Sequence, residues 1–219
     1  MLFINFKTYE QGSGARALEL VKTLEEVANE TQVKIIPVIQ VADVKEAVQS
    51  SKLEIWVQHI DAVGFGAHTG SVLPEAVFED GAIGTFLNHS EKKFSDFENL
   101  SKAHKRAVEV GLKTLIFASS LDELSNIAVL NPTFVSYEPP EFIGNTTISV
   151  TSAQPDIILK AVEIAKTHNL PLIVGAGIHT REDVKKSMEL GATGIAVATN
   201  VVKASDPKKA LINLVEGFE

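Results

Sequence analysis

The feature that most constrains the fold is a regular alternation in which short apolar runs and longer stretches of helical periodicity follow one another eight times. The apolar runs cover residues 2–4, 33–38, 55–57, 83–87, 114–117, 134–137, 172–174 and 195–197. Several of them are apolar nearly throughout, which is typical of parallel strands covered on both faces. The alternation therefore predicts an α/β protein with a parallel sheet.

The 219 residues divide into eight units of about 27 residues, and no low-complexity linker separates them. Periodicity alone leaves a closed barrel and an open doubly wound sheet as alternatives, but eight nearly equal units favour closure. We predict a closed (β/α)8 barrel, with eight parallel strands and outer helices, formed by one domain over residues 1–219.

Several predicted helices have readable ends. Ser95 and Glu98 form a capping-box pattern, and Gly111 suits the left-handed end of the same helix. Thr180 is placed to cap a second helix, and Asp206 precedes a proline at the start of the last one.

Composition excludes several classes of function. A formal net charge of −8 disfavours nucleic acid, which is bound by an excess of Lys and Arg. Because there is no cysteine, disulfides, thiolate catalysis and cysteine-ligated zinc are excluded. Neither a secretory segment nor an apolar run of the roughly 20 residues that cross a bilayer is present, so we expect a soluble cytoplasmic protein with no membrane partner.

Polar residues follow the first predicted strand. In (β/α)8 barrels, catalytic groups lie at the carboxyl ends of the strands. Asn5 and Lys7 are two residues apart, so their side chains point to the same side of a strand. Lys7 is either a surface lysine on a frayed strand or an ammonium that faces an anionic ligand, because a buried cation needs an anionic partner. The other polar strand ends favour the second interpretation.

His89 closes the fourth strand and is followed by Ser90-Glu91, which we interpret as a helix start. A positive helix end near the ring lowers the imidazole pKa, and a neutral ring can donate a hydrogen bond to a carbonyl. The alternative is a structural core histidine. His59 and His68 are rival imidazoles without so direct a helix start.

Glu138 closes the sixth strand and precedes two prolines. A carboxylate at a strand end, in a pocket that closes, is the usual base for removing a proton from carbon. The alternative is an ion-paired glutamate on a loop. Residues 139–149 have the size and composition of a lid with stiff hinges and a mobile tip, which favours the catalytic interpretation.

Small residues follow the last two strands: Gly175-Ala176-Gly177 after the seventh and Ala198-Thr199 after the eighth. They would expose backbone N–H groups, and these two loops are where barrels commonly hold phosphate. A Gly-Ala-Gly sequence can also form any tight turn, so only its position after the seventh strand favours a role in phosphate binding.

These stretches together resemble the triosephosphate isomerase family over the whole chain, and with it the TIM barrel. Asn5-Phe6-Lys7 resembles the family's opening Asn-x-Lys, Asn88-His89-Ser90-Glu91 its His-Ser-Glu segment, and Tyr137-Glu138-Pro139 its base and lid hinge. The short length, together with Gln58-His59-Ile60-Asp61 and Glu138-Pro139-Pro140-Glu141, resembles the compact archaeal branch.

The resemblance implies a cofactor-free and metal-free interconversion of dihydroxyacetone phosphate and D-glyceraldehyde 3-phosphate, which belongs to glycolysis and gluconeogenesis. It implies that Glu138 moves the proton between C1 and C2, that His89 and Asn5 act on the carbonyl oxygen, and that Lys7 supplies positive charge. Further implied roles are phosphate binding by backbone groups of Ile143, Gly177, Ala198 and Thr199, and support from Ser90 and Glu91.

Two departures from the family pattern stand out. The lid, usually Ile-Gly-Thr-Gly, here runs from Ile143-Gly144 into Asn145-Thr146, and Ala198-Thr199 replaces the glycine pair of longer relatives. In the family, the third loop enters a neighbouring subunit, and residues 66–70 resemble that arm. A homodimer is therefore the minimum expectation, with a tetramer left open.

Two alternatives remain at this stage. One is another phosphate-binding barrel, such as a sugar-phosphate epimerase, which shares the last two loops but lacks this order of motifs and requires metal ligands. The other is a non-catalytic barrel scaffold, which is disfavoured because every proposed catalytic position keeps its functional group.

Overall fold

The computed structural model describes residues 1–139 and 154–218 and contains a closed barrel of eight parallel strands. The strands are β1 (Leu2–Asn5), β2 (Ile35–Ile39), β3 (Trp56–Val57), β4 (Gly84–Leu87), β5 (Lys113–Ala118), β6 (Phe134–Tyr137), β7 (Leu172–Val174) and β8 (Gly194–Val197). Leu2 of β1 lies beside both Ile35 of β2 and Ile195 of β8, and this pairing closes the barrel. The predicted barrel is confirmed and the open sheet is excluded.

Helices follow the strands around the outside. Those within the described residues are α1 (Ala15–Thr31), α2 (Val44–Ser50), α3 (Pro74–Glu79), α4 (Phe97–Val110), α5 (Leu121–Ala128), α6 (Pro155–Thr167), α7 (Arg181–Glu189), α8 (Thr199–Val202) and α9 (Pro207–Val215). Short 3₁₀ turns cover Glu10–Gly12, Val41–Asp43 and Glu216–Phe218. In the described part of the chain, no helix has the length and apolar character needed to cross a membrane.

The predicted helix ends are largely confirmed. Thr180 and Asp183 form a reciprocal capping box at the start of α7, and the Asp206 carboxylate accepts the Lys209 N–H at the start of α9. Gly111 ends α4 with φ 95°, in the left-handed region that glycine adopts without steric cost. The cap of α4 is Asp96, one residue after the predicted Ser95, because the Asp96 carboxylate accepts the Asn99 N–H at 2.8 Å.

Strand side chains alternate between two buried layers, as the pleat requires. On β1, Leu2 and Ile4 pack in the cluster between strands and helices, whereas Phe3 points into the barrel. The interior cluster is apolar and includes four aromatic residues, and it comprises Phe3, Ile36, Val38, Trp56, Phe86, Leu115, Phe117, Ile173 and Ala196. The barrel is therefore a packed core rather than a pore.

Candidate active site

A cavity of about 900 Å³ opens at the carboxyl ends of the strands. Phe86, Phe117 and Ala196 of the interior cluster line it, so the cavity lies directly on the packed core. Its walls include the predicted site residues that the structure describes: Asn5, Lys7, His89, Glu138, Gly177, Ala198 and Thr199. Residues separated by more than 190 positions in the sequence thus share one cavity because the barrel closes.

Asn5 and Lys7 form a tight corner at the end of β1. Lys7 has φ 49°, in the left-handed region that a lysine rarely adopts, and such strain persists only where the surroundings hold it. The Asn5 side-chain oxygen accepts the Lys7 N–H at 3.0 Å, and the Gln58 amide donates to the Lys7 carbonyl at 2.8 Å. Since the Asn5 oxygen is occupied, its amide N–H groups are the atoms left to act as donors.

The Lys7 ammonium is directed to the cavity and pairs with one carboxylate oxygen of Glu91 at 2.7 Å. The Lys7 side chain is mostly buried, whereas that of Glu91 is more than half exposed. An exposed partner of this kind contributes little to stability. The pair therefore keeps a cation in place that an anionic ligand can reach.

His89 is buried, and its environment keeps it neutral. Its Nδ1 accepts the Glu91 N–H at 3.2 Å, which places the ring proton on Nε2. Burial lowers the pKa of His89 to about 4. The Glu91 charge acts in the opposite direction, and the Lys7 charge adds a smaller lowering. At neutral pH the Nε2–H group is therefore a hydrogen-bond donor without a charge.

The predicted helix start at Ser90-Glu91 is wrong. These two residues form a turn, and α4 begins only at Phe97. Asn88, with φ 60°, redirects the chain, and its side-chain oxygen accepts the Phe94 N–H at 3.3 Å. A single backbone N–H together with burial, rather than a helix end, keeps the imidazole neutral.

Glu138 follows β6 and is almost fully buried, and its Oε2 lies 3.8 Å from His89 Nε2. Burial raises the pKa of Glu138 to about 8, while the nearby Lys7 charge acts in the opposite direction. Its Oε2 has no hydrogen-bond partner among the described residues. The ionised form of a desolvated carboxylate with a raised pKa is a stronger base than an exposed carboxylate.

Gly175 makes room for this carboxylate. A Cβ at position 175 would lie 2.5 Å from Glu138 Oε1 and 2.8 Å from the Ser136 hydroxyl, distances that side chains do not tolerate. The Gly175 N–H is occupied by the Tyr137 carbonyl at 3.3 Å. Its expected role as an exposed N–H donor is therefore wrong, and the residue provides space instead.

The other small residues, Gly177, Ala198 and Thr199, line the same cavity. Gly177 has φ 64°, which suits glycine, and Thr199 begins the short helix α8 directly after Ala198. The first N–H groups of a helix have no partner within it, so they are available to an anion. Both loops thus bring small residues to the lining of the cavity.

Comparison with known proteins agrees with this geometry. The chain matches the family described as triosephosphate isomerase over residues 1–217. It is 42% identical to the triosephosphate isomerase of Methanobacterium bryantii, covering 98% of this chain and 95% of the relative. The triosephosphate isomerase of Metallosphaera sedula is 40% identical, covering 99% of this chain and 95% of the relative. That of Archaeoglobus fulgidus is also 40% identical, covering 98% of this chain and 96% of the relative.

The chain belongs to the triosephosphate isomerase family.

Family membership confirms the resemblance read from the motifs, including the similarity to archaeal relatives. It makes the protein an isomerase that acts on a phosphorylated triose. The assignment of individual residues still rests on the geometry. The structure does not describe most of the proposed lid over residues 139–149, of which only Pro139 lies within the described residues. Ile143 and the altered tip Asn145-Thr146 therefore lie outside them.

The rival histidines lie elsewhere. His59 pairs with Asp61 at 3.1 Å and packs against Phe94, and His68 lies in the exposed loop of residues 66–70. Neither lines the cavity. Among the described residues, no group of three or more His, Asp and Glu side chains is arranged to hold a metal ion.

Sequence reasoning missed several cavity residues, of which Tyr9 and Lys203 are the clearest. The Tyr9 hydroxyl lies 2.9 Å from the Thr199 hydroxyl, and the Lys203 ammonium lies 5.3 Å from the centre of the Tyr9 ring. The one signal available was topological: closure makes β1 and β8 neighbours, so the loops that follow them must also be neighbours.

Proposed function

We propose that this member of the family interconverts dihydroxyacetone phosphate and D-glyceraldehyde 3-phosphate through an enediolate, with Glu138 as the base and His89 as the neutral acid. The observation that carries the proposal is the Glu138–His89 pair. A carboxylate whose pKa is raised to about 8 and an imidazole whose pKa is lowered to about 4 lie 3.8 Å apart in one cavity.

In the proposed reaction, Glu138 takes a proton from the carbon next to the carbonyl. Negative charge then develops on the carbonyl oxygen, and donors that already face this oxygen lower the barrier. His89 Nε2–H gives its proton to that oxygen and takes one from the neighbouring hydroxyl. Glu138 returns its proton to the adjacent carbon, so all protons balance and no electron acceptor is needed.

Asn5 and Lys7 are the further donors to the developing charge. The bond from the Lys7 N–H to the Asn5 oxygen restrains the Asn5 side chain, whose N–H groups can donate, and the Lys7 ammonium is a cation that lines the same cavity. Lys7 also lowers the pKa of Glu138, so the same charge favours the ionised base.

The phosphate would be bound by backbone N–H groups of Gly177, Ala198 and Thr199, joined by Ile143 from outside the described residues. This end of the substrate does not react. Its binding energy can instead orient the substrate and close a lid over the reacting carbons, which excludes water.

We also propose that the 219 residues form one barrel domain that works in the cytoplasm, where triose phosphates are metabolised, as a homodimer at least. Phe65, which is 78% exposed, and the exposed loop of residues 66–70 that follows support an arm that enters a partner subunit. A tetramer requires further exposed apolar surface, such as Phe97 and Val108 of α4 and Val129 after α5.

The test is a coupled assay in both directions, with purified protein, no nucleotide and excess EDTA. The wild-type protein should be active, and Glu138→Gln should lower kcat by roughly 10²- to 10⁴-fold because general-base catalysis is lost. Calorimetry should still detect 2-phosphoglycolate binding to Glu138→Gln, since the phosphate contacts remain.

Glu163→Gln, on the exposed face of α6, is the matched control and should keep full activity. Near-normal turnover of Glu138→Gln would place the base elsewhere. An inactive wild-type protein that still binds 2-phosphoglycolate would indicate a scaffold, and activity that EDTA abolishes would favour a metal-dependent epimerase.

A further inference from the structure

A hydroxyl pair joins the first and last loops of the barrel at the phosphate end of the cavity. The Tyr9 hydroxyl, after β1, lies 2.9 Å from Thr199 Oγ1, after β8, and either atom could be the donor. Both residues line the cavity. Since β1 and β8 are paired in the closed barrel, this contact connects two neighbouring loops that are 190 residues apart in sequence.

Tyr9 is anchored well enough to position its partner. Its carbonyl accepts the Ser13 hydroxyl at 2.8 Å and the Gly12 N–H at 2.9 Å, which fixes the 3₁₀ turn Glu10–Gly12. The Gln40 amide donates in turn to the Ser13 hydroxyl at 2.7 Å. The phenol ring therefore extends from a loop with several internal restraints.

The loop that carries Thr199 is held from its other side as well. The Asn200 amide donates to the His179 carbonyl at 2.8 Å, which ties it to the loop after β7. Tyr9 and His179 thus hold the start of α8 between them. Thr199 and Asn200 each supply one side chain for these contacts.

The direction of the hydroxyl bond decides what Thr199 can do. If Tyr9 donates, the Thr199 hydroxyl accepts with a lone pair and keeps its own proton for a ligand. The Lys203 ammonium, 5.3 Å from the centre of the Tyr9 ring, withdraws electron density from the phenol and so favours Tyr9 as the donor.

We propose that Tyr9 is a positioning residue of the phosphate site: its hydroxyl donates to Thr199 Oγ1 and directs the Thr199 hydroxyl proton and adjoining backbone N–H groups toward the substrate's phosphate. The inference rests on the proposed function, because it concerns the same substrate. It adds a side-chain donor and its orienting partner to a site otherwise made of backbone groups.

The test compares Tyr9→Phe, Thr199→Val and the double variant with the wild-type enzyme. Tyr9→Phe removes only the hydroxyl and keeps the ring beneath Lys203. A net hydrogen bond of ordinary strength predicts that KM and the 2-phosphoglycolate Kd each rise about two- to tenfold. We expect kcat to stay within about twofold, since this contact is made in both ground and transition states.

Thr199→Val should weaken 2-phosphoglycolate binding at least as much, because it removes the proposed donor itself. In the Thr199→Val background, Tyr9→Phe should have no further effect, since the two residues act through one bond. Thr23→Val is the control, because it removes a surface hydroxyl that bonds the Glu19 carbonyl on α1. The Tm of each ligand-free variant shows whether folding has changed.

An unchanged KM and Kd in Tyr9→Phe would overturn the proposal, as would additive effects in the double variant. A lower Tm without a change in Kd would show a purely structural contact and would also overturn it. If Thr199 instead donates to Tyr9, Thr199→Val will not weaken phosphoglycolate binding. Failure of the wild-type protein to isomerise triose phosphates is a separate result, which removes the proposed function itself.

Discussion

The barrel interior has two layers that differ in chemistry although both are buried. The lower layer contains the aromatic rings of Phe3, Trp56 and Phe134, with ring centres 5.2–6.1 Å apart. The upper layer, Asn5, His89 and Glu138, is wholly polar. Phe86 and Phe117 lie between them, and Phe117 contacts the His89 ring edge to face with centres 5.0 Å apart.

The difference lies in what each layer does to the free energy of folding. Aromatic pairs in the lower layer bury large areas and add favourable edge-to-face contacts. In the upper layer, Glu138 Oε2 has no hydrogen-bond partner among the described residues, and the hydroxyls of Ser136 and Ser90, close to this layer in sequence, have none either. The lower layer leaves one such atom, the Trp56 indole N–H. Buried polar atoms of this kind cost stability, and a carboxylate costs more than a neutral group, so the aromatic packing offsets a cost that arises mainly in the upper layer.

The largest expected effect comes from the lower layer. Trp56→Ala removes a fully buried ring and leaves a cavity in the core. The lost burial and the cavity together should lower the free energy of unfolding by about 3–5 kcal/mol. Thermal and urea unfolding measure the loss, while KM and kcat of the folded fraction should change little because Trp56 does not line the cavity.

Trp56→Phe is the matched variant. It keeps an aromatic ring and removes an indole N–H that has no partner among the described residues, so its cost should be clearly smaller. Equal losses in the two variants would contradict the view that ring packing in this layer stabilises the fold.

The strands were predictable from sequence, because their signals are local. The predicted bounds of β6 and β7, residues 134–137 and 172–174, are those observed. Closure followed from counting eight equal units. The caps at Thr180 and Asp206 were predicted at the observed residues and that of α4 within one residue, whereas the helix start predicted at Ser90-Glu91 is not observed. The shift from Ser95 to Asp96 arose because two adjacent polar residues can both cap, and the Ser95 hydroxyl binds the Asp96 carboxylate instead.

The upper layer was predictable in its members but not in its contacts. Asn5, Lys7, His89 and Glu138 follow strands, so their positions at the cavity came from topology. The Tyr9–Thr199 pair and the space that Gly175 leaves for Glu138 depend on distances across the closed barrel, for which neighbouring residues in sequence carry no signal.

A glycine-to-alanine substitution can be made next to each layer. Gly175→Ala would put a Cβ 2.5 Å from Glu138 Oε1, whereas Gly84→Ala would put one 2.6 Å from the Trp56 ring. The carboxylate can shift but the packed indole cannot. Gly175→Ala should therefore lower kcat by about ten- to hundredfold, the effect of a misplaced catalytic group.

Gly84→Ala should instead lower the free energy of unfolding, by about 1–3 kcal/mol, with kcat nearly unchanged. Measuring both quantities for both variants gives a crossed comparison. If Gly175→Ala were to destabilise the fold as much as Gly84→Ala and leave kcat intact, the two layers would not differ in the way described.

The last comparison concerns the stability cost of Glu138 itself. Its folded-state pKa, raised to about 8 by burial, exceeds the value of about 4.3 in an unfolded chain. Between these values the folded state binds more protons than the unfolded state, so stability falls as pH rises. Below the window the carboxyl is protonated in both states and has no effect; above it the cost is complete.

Glu138→Gln should therefore match the wild-type protein near pH 4 and exceed its free energy of unfolding by roughly 5 kcal/mol near pH 9, because each unit of the pKa difference corresponds to about 1.4 kcal/mol. Denaturant unfolding across this range measures the difference, and Glu163→Gln should follow the wild-type curve. Parallel curves for Glu138→Gln and wild type would mean that the folded protein solvates this carboxylate as well as water does. The catalytic layer would then carry no cost for the aromatic layer to offset.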